Sequence, residues 1–131
     1  MKWLILALFL GCSSTGIDSK IVAEKAAIKW FDYLDKGFFE KVFLESSPYL
    51  RDRLNKSKLE EMLTKRLILV GKNKVRTKSS IEALKKYRGL GRGEFISIDY
   101  LSDFELRGSV NERVVLKKEG PNWRVFDYFF F

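Results

Sequence analysis

The sequence predicts an α+β domain in which N-terminal helices pack on one face of a four-stranded antiparallel sheet. Two observations carry this. Up to Gly71, apolar residues recur at three- and four-residue spacing, the period of helices with one buried face. Beyond Gly71 the chain becomes rich in β-branched and aromatic residues, set in runs separated by glycine, proline and asparagine. Helices first and strands second is the order of an α+β domain rather than of alternating βαβ units.

The first helix is the clearest element. Asp18 or Ser19 can cap it, Ile21, Val22, Ala23, Ala26, Ala27, Trp30, Phe31 and Leu34 supply an apolar face, and Gly37 can supply the left-handed stop. A shorter helix is expected over 38–44, and Ser47-Pro48 reads as a cap followed by proline at the first helical position. Ser57-Lys58-Leu59-Glu60 fits a capping box, with Leu59, Met62, Leu63, Leu67 and Val70 forming one face and Gly71 ending the run. Strands are expected over 94–101, 112–118 and 122–131, and Glu119-Gly120-Pro121-Asn122 is the kind of cluster that joins two antiparallel strands. Residues 74–87 are two-sided. The propensity of 81–87 favours helix, but the place of this stretch before three strands favours a strand, and it reads as the first of four.

Residues 1–11 have the form of a secretory signal peptide: Lys2, eight apolar residues from Trp3 to Leu10, then Gly11. A spanning helix needs about 20 apolar residues, so this stretch can direct export but cannot anchor the protein. Leu10-Gly11-Cys12 resembles the lipobox of bacterial lipoproteins, in which the cysteine is acylated and becomes the first residue of the mature chain; Phe9 departs from the usual aliphatic residue. The resemblance implies a lipid on Cys12, a tether over 12–16, a single domain over 17–131, and a location at the periplasmic or cell-surface side of a bacterial membrane.

Cys12 is the only cysteine and the chain has no histidine. Disulfides, zinc sites, Cys-His nucleophiles and Ser-His-Asp triads are thereby excluded from the folded part, and no metal or cofactor is expected. Loss of Lys2 with the leader leaves 24 basic and 17 acidic side chains. That balance favours anionic lipid headgroups or other polyanions near an anchor, or serves only solubility. An exported location argues against nucleic acid.

Ala27-Ile28-Lys29-Trp30 with residues 32–37, then Arg76, Gly93-Glu94-Phe95, Tyr100, Asp103, Phe104, Glu112, Trp123-Arg124-Val125 and Tyr128 resemble an uncharacterised bacterial family, domain of unknown function four-zero-one-nine, over about 20–131. The resemblance implies a cone-like fold of the nuclear transport factor two-like or cystatin-like kind, with a curved sheet around a long helix and often a pocket inside. That superfamily hosts isomerases, hydrolases and non-enzymatic partners, so the fold alone does not assign a function.

Several residues are candidates for a site. Trp30, Tyr33, Tyr100, Trp123 and Tyr128, with Phe31 and Phe126, could line a pocket between helix and sheet or fill a core. Lys72, Lys74, Arg76 and Lys78 alternate, which on a strand would form an anion-binding stripe or protect a sheet edge. Asp99 and Tyr100 lie on opposite faces of their strand, so only one could serve as an acid or base in a given pocket. Gly89-Leu90-Gly91-Arg92-Gly93 precedes a strand, whereas a phosphate cradle needs a helix there. Phe129-Phe130-Phe131 resembles the aromatic end of outer-membrane barrels, but the chain has too few strands for one. The expected function is a lipid-anchored, non-catalytic binding or interaction module, its partner a small ligand, a headgroup or an envelope protein; the alternative is a small-molecule enzyme using Asp99 or Tyr100.

Overall fold

The computed structural model of the chain describes residues 17–131. The expected signal peptide, Cys12 and the tether lie outside the described residues. Four helices, α1 (Ile17–Asp35), α2 (Phe39–Glu45), α3 (Pro48–Arg53) and α4 (Lys56–Val70), precede four strands, β1 (Asn73–Lys86), β2 (Arg92–Phe104), β3 (Gly108–Glu119) and β4 (Asn122–Phe130). The strands form one curved antiparallel sheet in the order β1-β2-β3-β4, so the expected α+β architecture is present, and the two-sided stretch at 74–87 is strand up to Lys86.

Helix α1 lies across the sheet because Ala23 and Ala27 bring its backbone close, while Trp30, Phe31 and Leu34 fill the space beside them. Burying an aromatic or aliphatic side chain of this kind stabilises the fold by about 1.5–3 kcal/mol. The helix stops in a Schellman motif: the Phe38 amide donates to the Tyr33 carbonyl (2.9 Å), the Gly37 amide donates to that of Leu34 (3.1 Å), and Gly37 has a φ of +74°. Ile21 and Val22 lie outside the buried face, each 48% exposed. Asp18 and Ser19 sit within the first turn and not at a cap.

Two capping expectations divide. Ser47 caps α3 as expected, its hydroxyl accepting from the Leu50 amide (3.3 Å) with Pro48 at the first helical position. Helix α4 begins earlier than the capping box implies. Asn55 accepts from the Lys58 amide (2.9 Å), which places Ser57 inside the first turn. The buried face of α4 is Leu59, Leu63, Arg66 and Val70; Met62 and Leu67 point away and are exposed. A short link then ties the helices to β4: the Ser47 amide donates to Val125 O (2.8 Å), and Trp30 Nε1 donates to the buried Ser46 hydroxyl (3.1 Å).

The sheet buries side chains on both faces. Ile96, Ile98, Tyr100, Val114, Leu116, Trp123 and Val125 face α1 in the main core. A bulge in the β3–β4 pairing, where Val115 pairs with Asp127 and Leu116 with Val125, lets Tyr128 share the helix side with Trp123 and Val125, while Phe126, next to the inward Val125, points to the other face. There it joins Phe95 and Val115 under Tyr49, Leu84 and Tyr87, so Phe126 is not part of a helix-side pocket.

Candidate functional site

A charged cluster occupies the helix side of the sheet. Glu112 of β3 is fully buried. Its neighbours across the strands are Tyr100 on β2 and Phe130 on β4. Arg66 of α4 donates through Nη2 to Glu112 Oε2 (2.8 Å), and Arg76 of β1 donates through Nε to Oε1 (2.8 Å). The Tyr128 hydroxyl also donates to Glu112 Oε2 and accepts from Arg66 Nε (2.6 Å). Arg76 reaches outward to Asp35 at the end of α1, with Nη1 and Nη2 at 2.7 and 3.2 Å from its two carboxylate oxygens. Both Glu112 oxygens are thus held by guanidiniums from different elements.

The electrostatics follow from that geometry. Burial alone would raise the pKa of Glu112, but the charges of Arg76 and Arg66 and the hydrogen bonds prevail and hold it below the ordinary 4.5. Burial and then the Glu112 charge raise the pKa of Tyr128. Burial would lower that of Arg76, yet Asp35 and Glu112 raise it on balance. Each group is locked in the protonation state that the cluster needs. A general base needs a pKa near the working pH and access to substrate, whereas the Glu112 carboxyl is held below its ordinary range and is fully buried.

Beside the cluster, a groove of about 320 Å³ runs between α1 and the β1–β2 edge, lined among others by Glu24, Ile28, Phe31, Arg76, Lys78 and Tyr100. Its charges are paired: Lys78 Nζ with Glu24 (2.9 Å), Arg76 with Asp35, and Asp32, which also lines the groove, with Lys36 just past the end of α1 (2.9 Å). The Arg76 guanidinium lies 3.9 Å from the centroid of the Phe31 ring, a cation–π contact. Tyr100 packs edge-on against Phe31, with centroids 5.2 Å apart, and its buried hydroxyl has no hydrogen-bond partner. Burial, followed by the charge of Glu24, raises its pKa, so the phenol stays protonated and is a donor without an acceptor. Ser102, next to Glu112, is likewise buried without a partner of ordinary geometry.

Residues 26–128 match the family described as protein of unknown function (DUF4019). The chain belongs to this family. The match takes in every member of the Glu112 cluster and all the groove residues named above except Glu24. No curated protein matches the chain.

Within this DUF4019 domain the residues singled out in the sequence have separate fates. Trp30 and Trp123 are core residues, and Tyr128 links that core to the Glu112 cluster, its ring centroid 5.2 Å from that of Trp30. Tyr33 lies at the helix surface, half-buried, with the ammonium groups of Lys29 and Lys41 at 5.9 and 5.2 Å from its ring centroid. Tyr100 alone of the five lines the groove. Of the stripe, Lys72 precedes β1, irregularities interrupt the β1–β2 pairing between Asn73 and Val75 and between Lys78 and Ser80, and Arg76 and Lys78 turn to acids on α1. Lys72 and Lys74 are exposed and take part in none of the ion pairs among the described residues. A continuous free stripe is therefore not assembled. Asp99 lies on the outer face in a bidentate pair with Arg113 (2.5 and 2.8 Å); the hydrogen bond from Arg113 first, against burial, lowers its pKa. Sequence reasoning about a site missed Arg66 and Glu112. The available signal was a charged residue at an apolar helix position, between Leu63 and Val70, and another just before Val114-Val115-Leu116.

Among the described residues, no helix is long and apolar enough to cross a membrane, and no group of three or more His, Cys, Asp or Glu side chains could hold a metal ion.

Proposed function

We propose that this is an exported, lipid-anchored binding module that takes up a small uncharged ligand in the groove between α1 and the β1–β2 edge without transforming it. One observation carries the choice of site: the Tyr100 hydroxyl is buried beside the groove, protonated and without an acceptor. Leaving a buried donor unsatisfied costs about 1–3 kcal/mol, which a ligand carbonyl or ether oxygen would recover. The ligand reaches it when the Lys78 arm swings off Glu24, a contact between partly exposed groups worth at most about 1 kcal/mol. Ile28 and Phe31 supply the apolar wall. A charged ligand gains little here because the groove's own charges are already paired.

The anchor rests on the leader and Cys12. In cells, Cys12→Ser should block incorporation of a fatty-acid probe and release the protein from membranes; retention without labelling would remove the anchor. For the groove, cyclohexanone serves as a probe that joins an apolar ring to a carbonyl. It is expected to bind the full chain in detergent micelles and to lose most of its affinity for Tyr100→Phe, a variant that keeps the ring. Equal binding by both proteins would remove Tyr100 from the site. Covalent change of bound small molecules by the purified protein, abolished by Glu112→Gln, would overturn the non-catalytic reading.

A further inference from the structure

We propose that the outer face of the sheet carries a second binding site, for an organic anion in which a carboxylate or phosphate group is joined to a flat ring. The site is a groove of about 490 Å³ at the end of the sheet where β1 turns into β2, lined among others by Tyr49, Arg53, Tyr87, Arg88, Phe126 and Phe129. Its floor and walls are aromatic. Tyr49 stacks on Phe126 with centroids 4.6 Å apart and planes at 28°, and Tyr87 meets the same ring edge-on at 5.5 Å. Phe126 is buried under these contacts, and the half-buried rings of Tyr49, Tyr87 and Phe129 are the ones that reach the groove, where a flat ring can stack.

The charges of this groove differ from those beside α1. The Arg53 guanidinium lies 5.4 Å from the Tyr49 ring centroid, and that of Arg88 lies 5.6 Å from both Tyr87 and Phe129. Neither arginine takes part in an ion pair among the described residues. Asp127, the carboxylate lining the groove, is engaged: it accepts from the Tyr87 hydroxyl (2.8 Å) and from the Tyr128 amide (3.0 Å). Burial first, and then this Asp127 contact, push the Tyr87 phenol up to about 12, so the wall bears no phenolate that would repel an anion. Two guanidiniums held over rings, with the local acid occupied, form a receptor for an anionic head with a flat body.

The backbone adds a separate sign. Arg88 is the only non-glycine with positive φ among the described residues, at +31°, and Gly89 follows at +72°. Glycine would adopt that conformation without strain, yet arginine stands there and places its guanidinium at the groove. Strain retained where a side chain is aimed into a cleft points to function.

The full chain in detergent micelles would be titrated with phenyl phosphate, benzoate, inorganic phosphate and benzyl alcohol, with binding followed by calorimetry. One of the two ring-bearing anions should bind with millimolar affinity, at least about tenfold tighter than inorganic phosphate or benzyl alcohol. Tighter binding of phenyl phosphate assigns a phosphate ester and tighter binding of benzoate a carboxylic acid; either supports the site. Arg53→Ala and Arg88→Gly should each weaken the preferred probe about tenfold, and Tyr100→Phe should leave it unchanged. Arg88→Gly is expected to melt no lower than the parent, so lost binding in that variant is not lost folding. Equal affinity for inorganic phosphate, or undiminished binding by Arg88→Gly, would overturn the proposal. So would binding abolished by Tyr100→Phe.

Discussion

The two faces of the sheet each hold a carboxylate–guanidinium contact, and the contrast between them separates structural charge from surface charge. On the helix side, Glu112 is sealed with Arg66 and Arg76, their side chains 0%, 6% and 11% exposed. On the outer side, Asp99 and Arg113 form a bidentate pair with side chains 24% and 38% exposed. Distances are similar, 2.8 Å within and 2.5–2.8 Å without, so geometry does not distinguish them. Solvent does. Water already satisfies much of what Asp99 and Arg113 would lose apart, whereas the inner groups depend on one another, on Tyr128 and, for Arg76, on Asp35. Bringing Arg66 on α4, Arg76 on β1 and Glu112 on β3 to one point fixes how those three elements meet.

The contrast can be broken most severely at Glu112. Glu112→Ala leaves two buried guanidiniums facing an empty site and should cost about 3–5 kcal/mol in urea unfolding. The triple variant Glu112→Leu, Arg66→Met, Tyr128→Phe removes the charges together, leaves Arg76 its Asp35 partner, and should recover most of that loss. If the triple variant is as unstable as Glu112→Ala, desolvation is not the governing cost.

Gly71 tests the frame around the inner cluster, since it joins α4, which holds Arg66, to the strand that holds Arg76. Its φ is +74°, and an added Cβ would lie 2.9 Å from Leu106 Cγ. Gly71→Ala should therefore cost about 1–3 kcal/mol, measured by thermal melting. A neutral result would mean that the junction adjusts and the frame is softer than its contacts imply.

Acid should separate the two faces as well. Glu112 has a folded-state pKa below its ordinary 4.5, so below that value the unfolded chain binds more protons and stability falls. The contribution is fully present above about 4.5 and is lost as pH drops through the folded value. Unfolding of the parent should become easier with acid, and the triple variant should show a flatter profile over the same range. The smallest effect is expected outside: Asp99→Asn should cost no more than about 1 kcal/mol. A loss there equal to that of Glu112→Ala would erase the distinction between the faces.

Much of this organisation was legible in the sequence, and what was not has a physical cause. Alanines at 23 and 27 beside Trp30 announced a helix packed closely on something, and the turn cluster at 119–122 announced the β3–β4 hairpin. Strand β1 was ambiguous because local propensity over 81–87 opposes a pairing that only β2 supplies. The bulge that lets Tyr128 share a face with Trp123 leaves no mark in a pattern of alternating residues. The Glu112 cluster escaped for a deeper reason. Arg66, Arg76 and Glu112 lie up to 46 positions apart, and burial of a charge becomes reasonable only once its partner's place is known.

Glu112 holds Arg66 and Arg76 together as a structural clamp, which requires its carboxylate to stay ionised. The carbon-detected NMR titration of the Glu112 side-chain carboxyl tests it most directly. The resonance should stay in its ionised position from neutral pH down past 4.5, moving only as the fold begins to fail. A midpoint near neutrality would contradict the clamp and make Glu112 a candidate general base.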